Sequence, residues 1–248
     1  MTFKSIIERP LYYLPSLHSA LLIRRPVPDL NKIVWVSMIS RGDTVLDVGA
    51  NRGHYTEFFA HKVGSRGMVY AFEPVVESVN ALRLRCSGLR NVRVIQAGLS
   101  DETARRRIFI PGNDLQQASL ARQASGSWSR SQEVRHEDID LITLDSWAVQ
   151  QHLERIDFIK LDVEGAEYKV LRGGAATLRR FRPLIYMEVC SDWLQGFGIE
   201  LNQLIRELSG LGYKNVYRPI IEHRQLRLLP ADLHDVENGD VLVSCRTI

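Results

Sequence analysis

From Thr44 onward the chain alternates short apolar runs with stretches in which apolar residues recur every three or four positions. Residues 45–48, 68–72, 92–96, 156–161 and 184–189 read as buried strands. Residues 54–62, 75–86, 145–153, 166–178 and 200–209 read as helices, the third begun by Asp145 and the last stopped by Gly210 and Gly212. Residues 213–217 and 241–245 bring the strands of this series to seven. Such alternation predicts an α/β fold, a doubly wound and mostly parallel sheet with helices on both faces.

Two segments depart from the rhythm. Residues 1–40 are helical in character but broken by Pro10, Pro15, Pro26 and Pro28, with an apolar stripe at Leu30, Ile33, Val34, Val36 and Ile39. They predict a helical extension packed on a single domain of residues 41–248, against the sheet or over a ligand. A peripheral membrane contact through Tyr12, Tyr13, Leu14 and their neighbours is the alternative. Within the domain, strands at 107–110 and 139–142 flank a polar stretch at 111–136. A long polar excursion from a compact domain reads as a lid or substrate loop.

Composition narrows the class without naming a function. The chain has 248 residues, 45% hydrophobic and 25% charged, enough for one domain with a sizeable core. A net charge of +3 gives no reason to expect a nucleic-acid partner, and Arg105-Arg106-Arg107 reads as a solvated strand face or an anion patch. Cys86, Cys190 and Cys245 are far apart, which argues against a zinc site or a disulfide framework and fits a cytoplasmic protein. No apolar run approaches the roughly 18 residues of a membrane span, and Met1 to Pro10 lacks the apolar core of a signal peptide.

The chemistry concentrates where the first strand ends, at Asp47-Val48-Gly49-Ala50-Asn51-Arg52-Gly53, followed by a helix and by a second strand that stops at Glu73. Strand, glycine turn, helix and a strand ending on an acid form a nucleoside-binding half of a doubly wound sheet. A dinucleotide fingerprint would carry three glycines to cradle a pyrophosphate. Here there are two, and Asp47 precedes them; a carboxylate beside the ligand suits a cation better. S-adenosylmethionine carries a sulfonium and an ammonium and no phosphate. Asp47, Glu73 and Asp162 fall at strand ends, where three carboxylates would ring one crevice.

The turn resembles motif I of the class I S-adenosylmethionine-dependent methyltransferases. The block Asp157-Phe158-Ile159-Lys160-Leu161-Asp162-Val163-Glu164-Gly165-Ala166-Glu167, followed by Val170-Leu171-Arg172-Gly173, is similar to the signature of the FkbM family, as is Pro183 to Glu188. The resemblance implies a Rossmann-like sheet with its last strand antiparallel, beside the sixth. It places Asp47 near the cofactor ammonium, Asn51 at its carboxylate and Glu73 on its ribose hydroxyls. Gly49 and Gly53 would let the backbone approach the cofactor, and adenine would lie between Pro74-Val75 and Gly98-Leu99-Ser100. It implies an O-methyltransferase acting on a sugar, glycolipid or other natural-product hydroxyl, with no nucleic-acid partner.

Asp162 is the first choice for the catalytic carboxylate, with Glu188 facing it from the next strand end. The pair could also hold a magnesium ion. Lys160 reads as an internal salt bridge, and Glu164 and Glu167 as turn residues or site residues with equal warrant. His54, His136, Trp128, Trp193 and Phe197 read as incidental or packing residues. Two rivals stay open: a nicotinamide-dependent oxidoreductase, and a cofactor-binding partner protein without turnover.

Overall fold

A computed structural model of the chain describes residues 15–24, 29–123, 127–130, 133–236 and 238–248. Its strands are β1 (Thr44–Val48), β2 (Met68–Phe72), β3 (Val92–Ile95), β4 (Gly98–Leu99), β5 (Ala104–Pro111), β6 (Val134–Ile142), β7 (Phe158–Leu161), β8 (Leu184–Cys190), β9 (Asn215–Glu222), β10 (Gln225–Pro230) and β11 (Asn238–Ser244). Eight of them form one sheet in the order β10-β9-β11-β8-β7-β1-β2-β3. From β8 to β3 neighbouring strands are parallel, and β11 runs antiparallel between β8 and β9. The doubly wound α/β expectation stands, with eight strands rather than seven.

The additional strand, β10, forms a hairpin with β9. Its turn is His223-Arg224, both at positive φ (48° and 61°). Two-residue hairpin turns usually recruit Asn or Gly for that geometry, so these side chains carried no turn signal. The polar excursion is likewise shorter than expected. Strands β5 and β6 extend to Pro111 and back to Val134 as an antiparallel pair, joined by β4 in a separate three-stranded sheet. Arg106 and Arg107 of β5 are both exposed, paired with Glu102 (2.7 Å) and Asp138 (3.6 Å).

The helices are α1 (Pro15–Ile23), α2 (Leu30–Met38), α3 (His54–Val63), α4 (Val76–Cys86), α5 (Ser127–Arg130), α6 (Leu144–Gln150), α7 (Glu167–Gly173), α8 (Ala175–Phe181), α9 (Ser191–Gly196) and α10 (Leu201–Gly210). Strand alternation divides the core: Leu46 and Val48 face one cluster with α6, α7, α8 and α10, while Val45 faces another with α2, α3 and α4. Trp35 of α2 fixes that helix on the sheet, edge-on to Tyr55 (4.6 Å), Phe59 (5.1 Å) and Tyr186 (5.7 Å). Of the residues behind the membrane-contact expectation, Tyr12, Tyr13 and Leu14 lie outside the described residues, Leu22 and Ile23 are buried in the core and Leu21 is exposed. No described helix is long and apolar enough to cross a membrane.

The helix expected over 166–178 is two helices, α7 and α8, meeting at Gly174. Asp145 does not cap its own helix; Thr143 does, accepting from the Ser146 N–H at 3.1 Å. The Asp145 carboxylate instead accepts from the N–H groups of Ala176 (3.0 Å) and Thr177 (2.7 Å), closing the N-terminus of α8. Asp145→Ala should therefore lower stability by about 1–2 kcal/mol, read as a reduced urea midpoint at unchanged slope.

Candidate active site

Beyond β1 the backbone turns through three left-handed residues, Gly49 (φ 79°), Asn51 (φ 46°) and Gly53 (φ 77°). The protein itself requires both glycines: a Cβ on Gly49 would run into the Asp162 carbonyl, and one on Gly53 into the Leu82 side chain. The turn is thereby pressed against the end of β7 and against α4. Gly49 still lines the cavity that opens here; Gly53 does not.

That cavity, about 960 Å³, lies where β1, β2, β7 and β8 end, and Gly49, Asn51, Glu73, Leu99, Asp162 and Glu188 are among its walls. Glu73 is 6% exposed. Its two oxygens accept from the N–H groups of Asn51 (2.8 Å) and Val75 (2.9 Å), Val75 being the residue that precedes α4. These two bonds leave Glu73 able to bind a ligand, because each carboxylate oxygen keeps a further acceptor site. Burial pushes the Glu73 carboxyl up to about 7 against the pull of these two bonds. Asn51 Oδ1 accepts from Ser78 Oγ at 3.4 Å. Pro74, Val75, Gly98, Leu99, Ile139 and Leu141 make a largely apolar flank.

Besides Gly53, two further expected cofactor residues sit off the wall. Asp47 is fully buried beneath the turn, where it accepts from Thr56 Oγ1 at 2.6 Å, and it makes no part of the cavity surface. Strand alternation turns its side chain inward, so direct contact with a cofactor ammonium is not what this geometry offers. Ser100 is 1% exposed, its N–H donating to the Ile142 carbonyl at 2.9 Å, and Gly98 and Leu99 face the cavity in its place.

Lys160 connects these parts. Its ammonium donates to the Gly49 carbonyl (2.9 Å) and lies 3.0 Å from Asp162 and 3.9 Å from Asp47. Burial alone would lower its pKa, but Asp162 and Asp47 hold it above the usual lysine range. The reading of Lys160 as an internal salt bridge is what the structure shows.

Past Lys160 the chain supplies Asp162, Glu164 and, from β8, Glu188, with one oxygen of each within 4.8 Å of the others. Glu164 completes the cluster because it is left-handed (φ 58°) ahead of Gly165. Periodicity cannot report such a turn, so the sequence left its role undecided. The buried Glu167 holds the turn, accepting from the N–H groups of Val163 (3.0 Å) and Gly165 (3.4 Å). Burial, then the Asp162 charge, raises Glu164 to about 10 and Glu188 to about 8.

The excursion reaches the site as well: residues 113–120 line the cavity, and Ser119 Oγ donates to the Glu164 carbonyl at 2.9 Å. His54 and Trp193 are on the wall, whereas His136, Trp128 and Phe197 are not. Burial and the nearby Arg85 lower the His54 pKa.

The doubly wound sheet with an inserted antiparallel strand, and a carboxylate-rimmed cavity at its strand ends, define a Rossmann-like methyltransferase. Residues 47–214 match the methyltransferase FkbM domain, and the chain belongs to that family. It is 32% identical over 177 residues to 2-O-methyltransferase NoeI of Sinorhizobium fredii (strain NBRC 101917 / NGR234), covering 67% of this chain and 72% of that protein. It is 29% identical over 144 residues to Methyltransferase 1 of Beauveria bassiana (strain ARSEF 2860), covering 52% of this chain and 57% of that one. In fold it is similar to the crystal structure of methyltransferase FkbM from Methylobacillus flagellatus KT, with a TM-score of 0.50 at 13% identity over 96% of this chain and 59% of the other.

The raised carboxyls have a consequence for stability. Between the ordinary glutamate value and about 8, folded Glu188 keeps a proton that the unfolded chain has released. Its contribution is complete below the unfolded value and is lost as pH rises through about 8. Glu188→Gln, always neutral, should melt with the ligand-free wild type near pH 5 and above it at pH 9. Scanning calorimetry across that range checks this, and a gap that does not widen with pH would reject it.

Proposed function

We propose that the protein is an S-adenosylmethionine-dependent O-methyltransferase whose acceptor is a hydroxyl of a sugar, a glycolipid or a related natural product. The observation that carries this is one cavity with a nucleoside-type acid, Glu73, on one wall and the Asp162–Glu164–Glu188 cluster on another. The cofactor supplies an electrophilic methyl group on sulfonium sulfur. The residues present fit it: Glu73 offers free lone pairs for ribose hydroxyls, Asn51 a polar side chain, and Leu99 with Leu141 an apolar bed for adenine. The kinship with a 2-O-methyltransferase supports oxygen as the acceptor atom.

Asp162 is the group to receive the acceptor's proton, steadied by Lys160 at 3.0 Å. Glu164 and Glu188, neutral near pH 7 when no cation is bound, can donate hydrogen bonds to acceptor oxygens. The same three carboxylates also suit a magnesium ion, which favours hard oxygen ligands and would lower the hydroxyl's pKa. In that case Glu164 and Glu188 would be ionised. The free cysteines Cys86, Cys190 and Cys245 support a reducing, cytoplasmic setting.

The decisive test is calorimetric binding of S-adenosylhomocysteine, with magnesium and with chelator. One-to-one binding is expected; a folded protein that takes none would return the chain to the reading as a non-catalytic partner, and preference for NADH to the oxidoreductase. Asp162→Asn should bind S-adenosylhomocysteine nearly as wild type while losing about 10²-fold or more of methyl transfer from labelled cofactor. Glu73→Gln should weaken cofactor binding by about 10-fold or more, since one charge-assisted acceptor is lost.

A further inference from the structure

Beside the acidic cluster lies a second, smaller cavity of about 60 Å³, which shares Tyr55, Lys160, Asp162 and Glu188 with the first. Its other walls include Asn31 and Trp35 of α2, Tyr186 of β8 and Asp240 of β11. Bulk water takes about 30 Å³ per molecule, so this space admits a hydroxyl and its carbon but not a sugar ring.

The pocket is built for a group that both donates and accepts. Trp35 is 1% exposed, and among the described residues its indole N–H has no acceptor. A buried donor left unmatched is costly and uncommon. The Tyr186 hydroxyl donates to Asn31 Oδ1 at 2.7 Å, and Asn31 and Tyr186 both lie within hydrogen-bonding reach of Asp240. Asp240 is the direct cross-strand partner of Glu188, which sets it beside the cluster. A hydroxyl oxygen can accept from Trp35 while its hydrogen goes to Asp240, a complement that neither an apolar group nor an ammonium provides. Asn31, Trp35 and Asp240 all fall outside the span matched by the family domain, residues 47–214.

We propose that the acceptor is a vicinal diol of a carbohydrate or polyol: one hydroxyl meets the carboxylate cluster, and its neighbour enters the side pocket and fixes which oxygen is methylated. This rests on the O-methyltransferase reading above.

The experiment titrates protein saturated with S-adenosylhomocysteine against a panel of methyl glycosides and their mono-deoxy analogues, followed by saturation-transfer NMR and calorimetry. At least one glycoside with adjacent free hydroxyls should bind, and its analogue lacking one of the pair should bind about 10-fold or more weakly. Trp35→Phe and Asp240→Asn should bind S-adenosylhomocysteine as wild type does, yet bind diol and deoxy forms about equally. The proposal is overturned if both variants keep the wild-type discrimination, if deoxy analogues bind wild type as well as diols do, or if cofactor-loaded protein takes no glycoside. Should Trp35→Phe fail to fold, the near-isosteric Asp240→Asn alone decides. Failure of the wild type to bind S-adenosylhomocysteine would instead overturn the cofactor reading, and so separates the two.

Discussion

The buried ammonium of Lys160 is the contact on which the site depends. It joins the carbonyl of Gly49, the fully buried Asp47 and the cavity-facing Asp162, and so ties the ends of β1 and β7 into one unit. Removing one partner of a buried ion pair costs roughly 3–5 kcal/mol, because it strands the other charge. Gly49 belongs to the same constraint, since any side chain there would push the turn off the Asp162 carbonyl. Asp47 therefore acts from beneath, by holding the lysine that orients Asp162, and not from the cavity wall.

Carboxyl groups crowd around that contact. Glu73, Glu164, Glu167, Glu188 and Asp240 are all raised, each chiefly by burial. Lys160 is the buried cation that meets Asp162 and Asp47, and protons, a cationic ligand or a metal ion offset the remaining carboxyl groups. This is the pattern expected of a functional pocket, in which pKa values are pushed apart rather than left near their solution values. The excursion adds a mechanical link. Ser119 and Gln123 bond the Glu164 carbonyl region, so the segment that walls the cavity also steadies the turn carrying the third carboxylate.

Much of this was legible along the chain. Short apolar runs that form buried strands, the glycine turn after β1 and the acids at strand ends are local patterns, set by burial and by backbone sterics. They place Gly49, Asn51, Glu73, Asp162 and Glu188 on one cavity in the structure. Lys160 and Asp162 share a face by the two-residue period of a strand, and their salt bridge follows from it.

What the tertiary structure decided is what depends on partners distant in sequence. Which polar side chains reach the cavity depended on what packs above them, so Asp47 and Ser100 were covered while Glu164 was turned in by a left-handed backbone. Asp145 closes a helix some 30 residues further on, and Asn31, Trp35 and Asp240 converge from opposite ends of the chain. Periodicity is a statement about one segment and its solvent exposure. A hydrogen bond or a shared pocket between segments is fixed only when the sheet order and helix packing bring them within a few ångströms.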